Sequence, residues 1–434
     1  PENQEALYRQ AVVMLETNRP EEADALVAKV SAEDKQGRKS LLKARIYLGQ
    51  NASKKALNEL NQAKRLGATS AEVLYYQGLA YQKLNNFELA KEKLEKSLAE
   101  GGGKMKNFLA LGEVYQEEGS LNQAKKAFSE VILQAPDAGL GYLKRARLLH
   151  QMQLYDSALQ DYDRAINLDP DVDAKAYLNR GEVKMALKQY NKALFDFNQA
   201  IREDANDFEA YCLRGRLYQL LGNFRQAEGD LQIAEELAPE SALPLYYRAI
   251  VYEERTKDEE AMELLNQATS RDPKFAAAYN LRGEMYAQQR DFPRAMRDFN
   301  QVIRIDPTYA EAYDNLGDVS RRIGNYQAAI SYYEKALSHN PNHADALYHR
   351  GFIHFLNQSL IKAEEDIKRS LSLEPGHGVR YATLAQIYAI QKNDESFFYY
   401  LETALQNGFP PSELKNDPAY AAYTDHPDFE RLLN

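Results

Sequence analysis

The stretch YNLRGEMYAQQRDFPRAMRDF, residues 279–299, reads as two amphipathic helices separated by a short break. In such a helix the apolar side chains face the core and the polar ones face water. Arg282 departs from this pattern, because it stands where the first helix is expected to present a core leucine. The stretch is one of about a dozen copies along the chain. The differences between the copies therefore indicate what this arginine does.

A small residue, Gly or Ala, recurs at an interval that is 34 residues in most copies. The twelve copies of this residue are Ala11, Ala44, Gly78, Gly112, Ala146, Gly181, Gly215, Ala249, Gly283, Gly317, Gly351 and Ala385. A second small residue, alanine, follows twelve positions later in every copy but the last, which has Phe397. Seven copies carry proline 24 positions after the first small residue, at Pro136, Pro170, Pro239, Pro273, Pro307, Pro341 and Pro375. Since each unit of a repeating chain contacts mainly its neighbours, a length of 434 residues does not by itself predict two or three compact domains.

The full pattern places an aromatic residue or Leu at position 4, Gly or Ala at 8, Tyr at 11, Ala at 20, an aromatic residue or Leu at 24 and Pro at 32. This pattern resembles the tetratricopeptide repeat over nearly the whole chain. Small residues at 8 and 20 let two antiparallel helices, A and B, approach closely, and proline at 32 ends helix B. The resemblance implies an all-α fold, a right-handed superhelical α-solenoid of helix-turn-helix repeats. It also implies a concave groove lined by helix A, mainly at positions 2, 5, 9, 12 and 13.

The regularity of the repeats predicts three regions. Residues 1–103 form degenerate repeats 1–3, which lack the proline, and residues 104–407 form regular repeats 4–12. The glycines at 101–103 stand at the first junction and are the expected hinge. Residues 408–434 follow the last repeat, and their Asp417-Pro418 and His426-Pro427 pairs are typical of short-helix starts. We expect this segment to cap the last exposed face.

Arginine occupies position 7 of six repeats, as Arg145, Arg180, Arg214, Arg248, Arg282 and Arg350. Position 23 of the same repeats holds Asp161, Asp196, Asp230, Leu264, Asp298 and Asp366. Repeats with Leu at position 7 (Leu111, Leu316, Leu384) have Ala127, Tyr332 or Tyr400 at position 23. Facing positions of the two helices sum to 28, so positions 7 and 23 lie close to one line of contact. The covariation predicts five Arg–Asp salt bridges within repeats, with Arg248 as an exception.

The predicted groove positions change character along repeats 8–11. Repeats 8–10 contribute the acidic residues Glu253, Glu254, Glu284, Glu311, Asp314 and Asp318, offset by Arg321 and Arg322. Repeat 11 contributes the apolar residues Tyr348, Phe352, Phe355 and Leu356. A partner segment with basic residues beside one or two apolar anchors would match both parts. Alternatively, the chain's own Phe409, Tyr420, Tyr423 and Phe429 fold back and fill the aromatic part.

The sequence carries no HExxH, GxSxG, GxGxxG or P-loop motif, so no catalytic residue and no cofactor are expected. Four histidines, His339, His343, His349 and His354, lie close together, but His349 and His354 are five residues apart and do not share a helix face. No metal site is expected. The net charge of −10 argues against nucleic acid, and no apolar run is long enough to span a bilayer.

The leading hypothesis is a non-enzymatic scaffold or adaptor for protein–protein interaction. A narrower form is a bacterial envelope or periplasmic assembly factor, a lipoprotein anchored upstream of Pro1, since similar proteins occur there. The alternatives are the targeting or regulatory arm of a larger enzyme and a helical-repeat reader of nucleic acid. The 34-residue interval and the negative charge weigh against the last. No repeat has the Lys–Asn pair with which one subclass of the family clamps a C-terminal carboxylate.

Overall fold

A computed structural model describes residues 4–17, 19–30, 37–169, 174–414 and 418–433. Pro170 and Asp417, which the sequence analysis uses as helix boundaries, lie outside these ranges. In these ranges helices joined by short turns are the only regular secondary structure, and no β-strand occurs there. None of the described helices is both long and apolar enough to cross a bilayer.

The helices are α1 (Gln4–Glu16), α2 (Pro20–Lys29), α3 (Arg38–Gly49), α4 (Ser53–Arg65), α5 (Ser70–Lys83), α6 (Phe87–Ala99), α7 (Lys104–Glu118), α8 (Leu121–Gln134), α9 (Gly139–Gln151), α10 (Tyr155–Leu168), α11 (Ala174–Ala186), α12 (Tyr190–Glu203), α13 (Phe208–Leu220), α14 (Phe224–Leu237), α15 (Leu243–Glu254), α16 (Asp258–Arg271), α17 (Ala276–Gln288), α18 (Phe292–Ile305), α19 (Ala310–Arg322), α20 (Tyr326–His339), α21 (Ala344–Leu356), α22 (Leu360–Leu373), α23 (Gly378–Gln391), α24 (Asp394–Gln406), α25 (Pro411–Leu414), a 3-10 helix (Pro418–Tyr423) and α26 (Pro427–Leu433). Odd-numbered helices from α1 to α23 are the A helices of repeats 1–12, and the even-numbered helices that follow them are the B helices. The all-α paired-helix fold expected from the sequence is confirmed.

The short break between helices A and B contains one left-handed residue, at position 15. Its φ angle is positive in repeats 2–12, from 55° at Asn85 to 88° at Gly119. In repeat 9 this residue is Arg290, and the next amide, that of Asp291, donates to the carbonyl of Tyr286 at 2.8 Å. A left-handed residue ends a helix in this way because it turns its amide and the following one back to the last carbonyls. Helix B can then start at once.

The small residue at position 8 is covered by the large residue at position 24. A Cβ atom added at Gly283 would lie 2.6 Å from Cε1 of Phe299, and one added at Gly317 would lie 2.4 Å from Cε1 of Tyr333. Gly112 and Gly181 are covered by phenylalanine rings in the same way. A methyl group at these sites would force the ring or the helix to move. This contact is the physical reason for the 34-residue pattern.

The chain divides into two compact units, residues 1–217 and 218–434. The core of each unit is a succession of clusters, each shared by neighbouring helices, as expected of a solenoid. One cluster joins Leu94 of α6 to Leu111 of α7 across the glycines at 101–103. The division of the repeats at residue 103 and the hinge there remain predictions.

Each A helix contacts the A helix of the next repeat at several places in both units. In unit 1, α3 contacts α5 and α5 contacts α7, and in unit 2, α17, α19, α21 and α23 contact one another in succession. We call the surface formed by this row the A-helix face of the unit. The side chains at positions 2, 5, 9, 12 and 13 are the ones that the family resemblance predicts to lie on it.

The C-terminal segment packs on the last helix pair. Tyr423 stacks on Phe397 of α24 with ring centroids 4.1 Å apart, and the rings of Tyr420 and Phe429 lie 5.6 and 6.3 Å from Phe397. Phe409 contacts the same cluster. Phe397 replaces the usual alanine at position 20, and its ring fills space that these C-terminal side chains enclose. These rings therefore pack in the core of repeat 12, and the role of residues 408–434 as a cap remains a prediction.

Candidate partner-binding face and its supports

The arginines at position 7 bind the aspartates at position 23 of their own repeats with two parallel hydrogen bonds. In repeat 9, Nε and Nη2 of Arg282 lie 2.7 and 2.9 Å from Oδ2 and Oδ1 of Asp298. Equivalent pairs join Arg145 to Asp161, Arg180 to Asp196 and Arg350 to Asp366, with N–O distances of 2.6–2.9 Å. The four aspartates are buried. The bridges hold helix A against helix B, which explains why Arg282 stands where a core leucine is expected.

The remaining guanidinium nitrogen of the same arginine reaches back to the preceding repeat. Nη1 of Arg282 donates to Asn266 Oδ1 at 2.9 Å and to Thr269 Oγ1 at 2.8 Å, both on α16. Nη1 of Arg180 likewise lies 2.6 Å from Asp163 Oδ1 on α10. Arg145 and Arg214 donate to Ser129 and Asn198. Each of these arginines thus joins consecutive repeats, a role that covariation within one repeat does not reveal.

Arg214 and Arg248 are the two position-7 arginines outside this set of four pairs. Arg214 and Asp230 lie on opposite sides of the division between the two units, and their pairing remains a prediction. Arg248, which faces Leu264, instead binds Glu235 of the preceding repeat at 2.6 Å. Glu235 also binds Arg271 at 3.0 Å. Arg248 therefore keeps an ion pair with the preceding repeat but has no ion pair with position 23 of its own repeat.

Three predicted groove carboxylates follow one another on the A-helix face of unit 2. They are Glu253 on α15, Glu284 on α17 and Glu311 on α19. Burial, followed by the charge of Glu284, raises the pKa of Glu253. Burial also raises the pKa of Glu284, and the charge of Glu311 adds to it. Within the described residues no Lys or Arg lies at salt-bridge distance from these three carboxylates.

The middle carboxylate of this row is held in place by neutral amides. The side-chain amides of Asn280 and Asn315 donate to Oε1 of Glu284 at 2.7 and 3.0 Å, and Asn315 also donates to Asn280 at 3.1 Å. Asn280 and Asn315 lie on neighbouring A helices. A cleft of about 200 Å³ opens beside them, lined in part by Glu284, Asp318 and Arg322. Glu284 is thus fixed in orientation without being neutralised.

The other predicted acids are already engaged. Asp314 is buried, and its Oδ1 lies 3.2 Å from Nδ1 of His349. Asp318 forms an ion pair with Arg321 and lies 4.0 Å from Arg322. Glu254 is exposed and accepts a hydrogen bond of 2.6 Å from Gln219. Glu253, Glu284 and Glu311, together with the exposed Glu254, are therefore the predicted groove acids that have no cation at salt-bridge distance among the described residues.

The aromatic part of the face lies on α21. The ring of Phe352 is 6.2 Å from that of Tyr348 on one side and 6.2 Å from that of Phe355 on the other. Leu356 is 43% exposed, whereas Phe355 packs partly into the cluster below. Arg380 lies 5.6 Å from the Tyr348 ring, but its charge is met by Asp345 and Glu374. The half-buried ring of Phe352 and the exposed Leu356 are the apolar side chains most open to a partner.

The single cysteine, Cys212, is buried, and burial raises the pKa of its thiol to about 12, so it is protonated at neutral pH. In the part of the chain that the structure describes, no group of three or more His, Cys, Asp or Glu side chains is arranged to hold a metal ion.

Four family models, each described as tetratricopeptide repeat, match the sequence. In chain order, the matches cover residues 72–100, 109–173, 174–207, 212–274, 259–310 and 310–343. Together the matches span more than half of the chain. A search of curated proteins finds no significant match.

Solved structures resemble the chain at low sequence identity. The crystal structure of the APC/C hetero-tetramer Cut9–Hcn1 aligns with 100% of this chain and 90% of its own, at 15% identity and a TM-score of 0.52. A tetratricopeptide repeat protein from Parabacteroides merdae aligns with 58% of this chain and 99% of its own, at 22% identity and a TM-score of 0.49. At 15% identity, the similarity to Cut9–Hcn1 shows a shared fold and nothing more.

Proposed function

Because this chain belongs to the tetratricopeptide repeat family, we propose that it is a non-catalytic interaction scaffold that binds an extended or helical segment of a partner protein on the A-helix face of unit 2. The fold alone does not give the partner, so its chemistry must follow from the side chains of this face. The observation that carries the proposal is the row Glu253, Glu284 and Glu311. This row lacks cations at salt-bridge distance within the described residues, and its last member lies on α19, the A helix next to the one that bears Phe352.

The carboxylate row favours a basic partner segment. Burial raises the pKa values of Glu253 and Glu284, and mutual repulsion adds to this effect. A Lys or Arg side chain from a partner would relieve the repulsion and stabilise the ionised forms. Such charges accelerate association, fix the register of the segment and add a smaller share of the affinity than the apolar anchors do.

The aromatic side chains favour an apolar anchor in the same segment. Phe352 is half-buried between two other rings, so a partner side chain placed on it would lose most of its contact with water. Aromatic and aliphatic anchors of this kind supply most of the free energy of binding in protein interfaces. We therefore propose a segment that carries basic residues next to one or two large apolar residues.

A bacterial-envelope location is a narrower proposal that rests on sequence resemblance. Fractionation of the source cells tests it, because an envelope factor is recovered with periplasm or membranes and a cytosolic protein is not.

The proposal is tested by affinity capture with the full chain, comparing the wild type with Phe352→Glu. Ile361→Glu is the matched control, because Ile361 is 81% exposed on α22, the B helix of the same repeat. We expect the wild type and the control to capture the same proteins, and Phe352→Glu to lose at least one of them while melting at an unchanged temperature. Equal capture by all three proteins would contradict the proposal.

A further inference from the structure

Two cations and two tyrosines form a cluster on the A-helix face of unit 1. The guanidinium of Arg45 on α3 lies 5.6 Å from the ring of Tyr76, and the ammonium of Lys106 on α7 lies 4.5 Å from the ring of Tyr75. Tyr75 and Tyr76 are neighbours on α5, and their rings meet edge to face at 5.1 Å. The cluster therefore spans the A helices of three consecutive repeats. All four side chains are half-buried and reach solvent.

The polar ends of these four side chains have no partner among the described residues. Neither Arg45 nor Lys106 has a carboxylate within salt-bridge distance there, and neither donates a hydrogen bond to another described residue. The hydroxyls of Tyr75 and Tyr76 also lack a hydrogen-bond acceptor in that part of the chain. Burial raises the pKa of both phenols, that of Tyr76 to about 12, so each remains a neutral donor at physiological pH.

Other cations nearby are engaged, which sets this cluster apart. Lys144 is paired with Glu113, and Lys91 is paired with Glu88 and Glu118. A cation held over an aromatic ring keeps its charge and is attracted to the negative face of the ring. The rings thus position Arg45 and Lys106 while leaving their N–H groups directed at no protein acceptor.

We propose that this cluster is a second partner-binding surface, which accepts a segment with an acidic side chain next to an aromatic or apolar one. Carboxylate oxygens accept from the guanidinium, the ammonium and the two phenols, and such charge-assisted bonds are about twice as strong as neutral ones. The tyrosine rings supply apolar contact for the neighbouring side chain. The surface is opposite in charge to the carboxylate row of unit 2. The scaffold therefore binds two chemically different partner segments, one acidic and one basic.

An acidic peptide fits this surface better than a nucleic acid. A strand of nucleic acid carries phosphates at every step and needs a continuous basic track. The cluster provides two uncompensated cations, and the charges of Glu113 and Glu72 act on Tyr75 and Tyr76, respectively. A single carboxylate can avoid these acids, whereas a run of phosphates cannot.

The test is a selection of displayed random peptides on the full chain, followed by removal of every peptide that also binds Arg45→Gln/Lys106→Gln. We expect the remaining peptides to be rich in Asp or Glu beside an aromatic or apolar residue. Synthetic copies should bind the wild type about tenfold more tightly than the double variant, as measured by fluorescence anisotropy. Peptides that the variant retains bind elsewhere on the chain and are removed, so this test and that of the proposed function fail independently.

Lys125→Gln/Lys126→Gln is the matched control, because both lysines are exposed on α8 and the charge change is the same. Tyr75→Phe/Tyr76→Phe keeps the rings and removes two donors, and we expect a smaller loss of affinity without loss of the fold. The inference is overturned if no peptide discriminates against Arg45→Gln/Lys106→Gln. It is also overturned if the discriminating peptides are not acidic, or if single-stranded oligonucleotides bind at these residues more tightly than any peptide.

Discussion

Removing Asp298 should destabilise unit 2 far more than replacing the whole Arg282–Asp298 pair by an apolar one. Asp298→Ala leaves the Arg282 guanidinium, whose side chain is only 15% exposed, with the neutral acceptors Asn266 and Thr269. Loss of one partner from a buried ion pair costs about 3–5 kcal/mol, because the other charge stays desolvated. Since the two neutral acceptors remain, we expect the lower end, about 3 kcal/mol. Arg282→Leu should cost at least as much, because it strands Asp298.

The double variant Arg282→Leu/Asp298→Tyr should lose about 1 kcal/mol or less. It copies the pair Leu316 and Tyr332, which repeat 10 carries naturally next to repeat 9. Here no charge is left without a partner, and the leucine gains burial.

Thermal unfolding of the full chain measures the difference. A unit of 150–250 residues shifts its melting temperature by about 2–4 °C per kcal/mol, so Asp298→Ala should melt about 6–12 °C lower in the transition of unit 2. Glu263→Ala, at an exposed position of α16, is the control and should leave that transition unchanged. If the double variant melts as low as Asp298→Ala, the loss of stability does not come from a buried charge left without its partner. That result would refute the assignment of Arg282 and Asp298 as a mutually dependent buried ion pair.

Three further predictions concern other parts of the fold. Because their raised pKa values mean that the native state binds more protons than the unfolded state, Glu253 and Glu284 lower stability as pH rises above the ordinary value of 4.5. Glu253→Gln/Glu284→Gln should therefore match the wild type in urea unfolding near pH 4 and exceed it at pH 7, and equal pH profiles would contradict this. Deletion of residues 408–434 should cause aggregation in light scattering, because it exposes Phe397, whereas a soluble chain with stronger partner binding would mean that the segment occludes the groove. Thr256→Gly should raise the free energy of unfolding by about 1 kcal/mol in urea titrations, because a β-branched residue is strained at φ 56°, and no gain would indicate an unstrained turn.

The repeat and its helix pairing could be predicted from sequence because a small residue at position 8 and a large one at position 24 are local requirements of one contact, repeated many times. Gly317 and Tyr333 show this contact directly. The geometry of the Arg282–Asp298 pair followed from the same reasoning, since the two positions change together along the chain.

Contacts between repeats were harder to predict. Thr269 and Glu235 bind arginines of the following repeat, and no fixed residue type marks their positions. The burial and the hydrogen-bond partner of each predicted groove acid also depend on the neighbouring repeats. Asp314 and Glu311 lie on the same helix, yet one is buried against a histidine and the other is exposed. The cluster at Tyr75 does not follow from the repeat pattern, because its members come from three repeats, two of which lack the regular proline.

The most direct test of the scaffold proposal is calorimetric titration of the captured partner segment into the wild type and into Glu253→Gln/Glu284→Gln/Glu311→Gln. The control is Glu259→Gln/Glu263→Gln/Glu402→Gln, in which three exposed carboxylates of B helices are changed. We predict that the groove variant raises the Kd about tenfold or more and flattens its salt dependence, while the control leaves both unchanged. Equal Kd values for the wild type and both variants would contradict the assignment of the carboxylate row as the partner-binding surface.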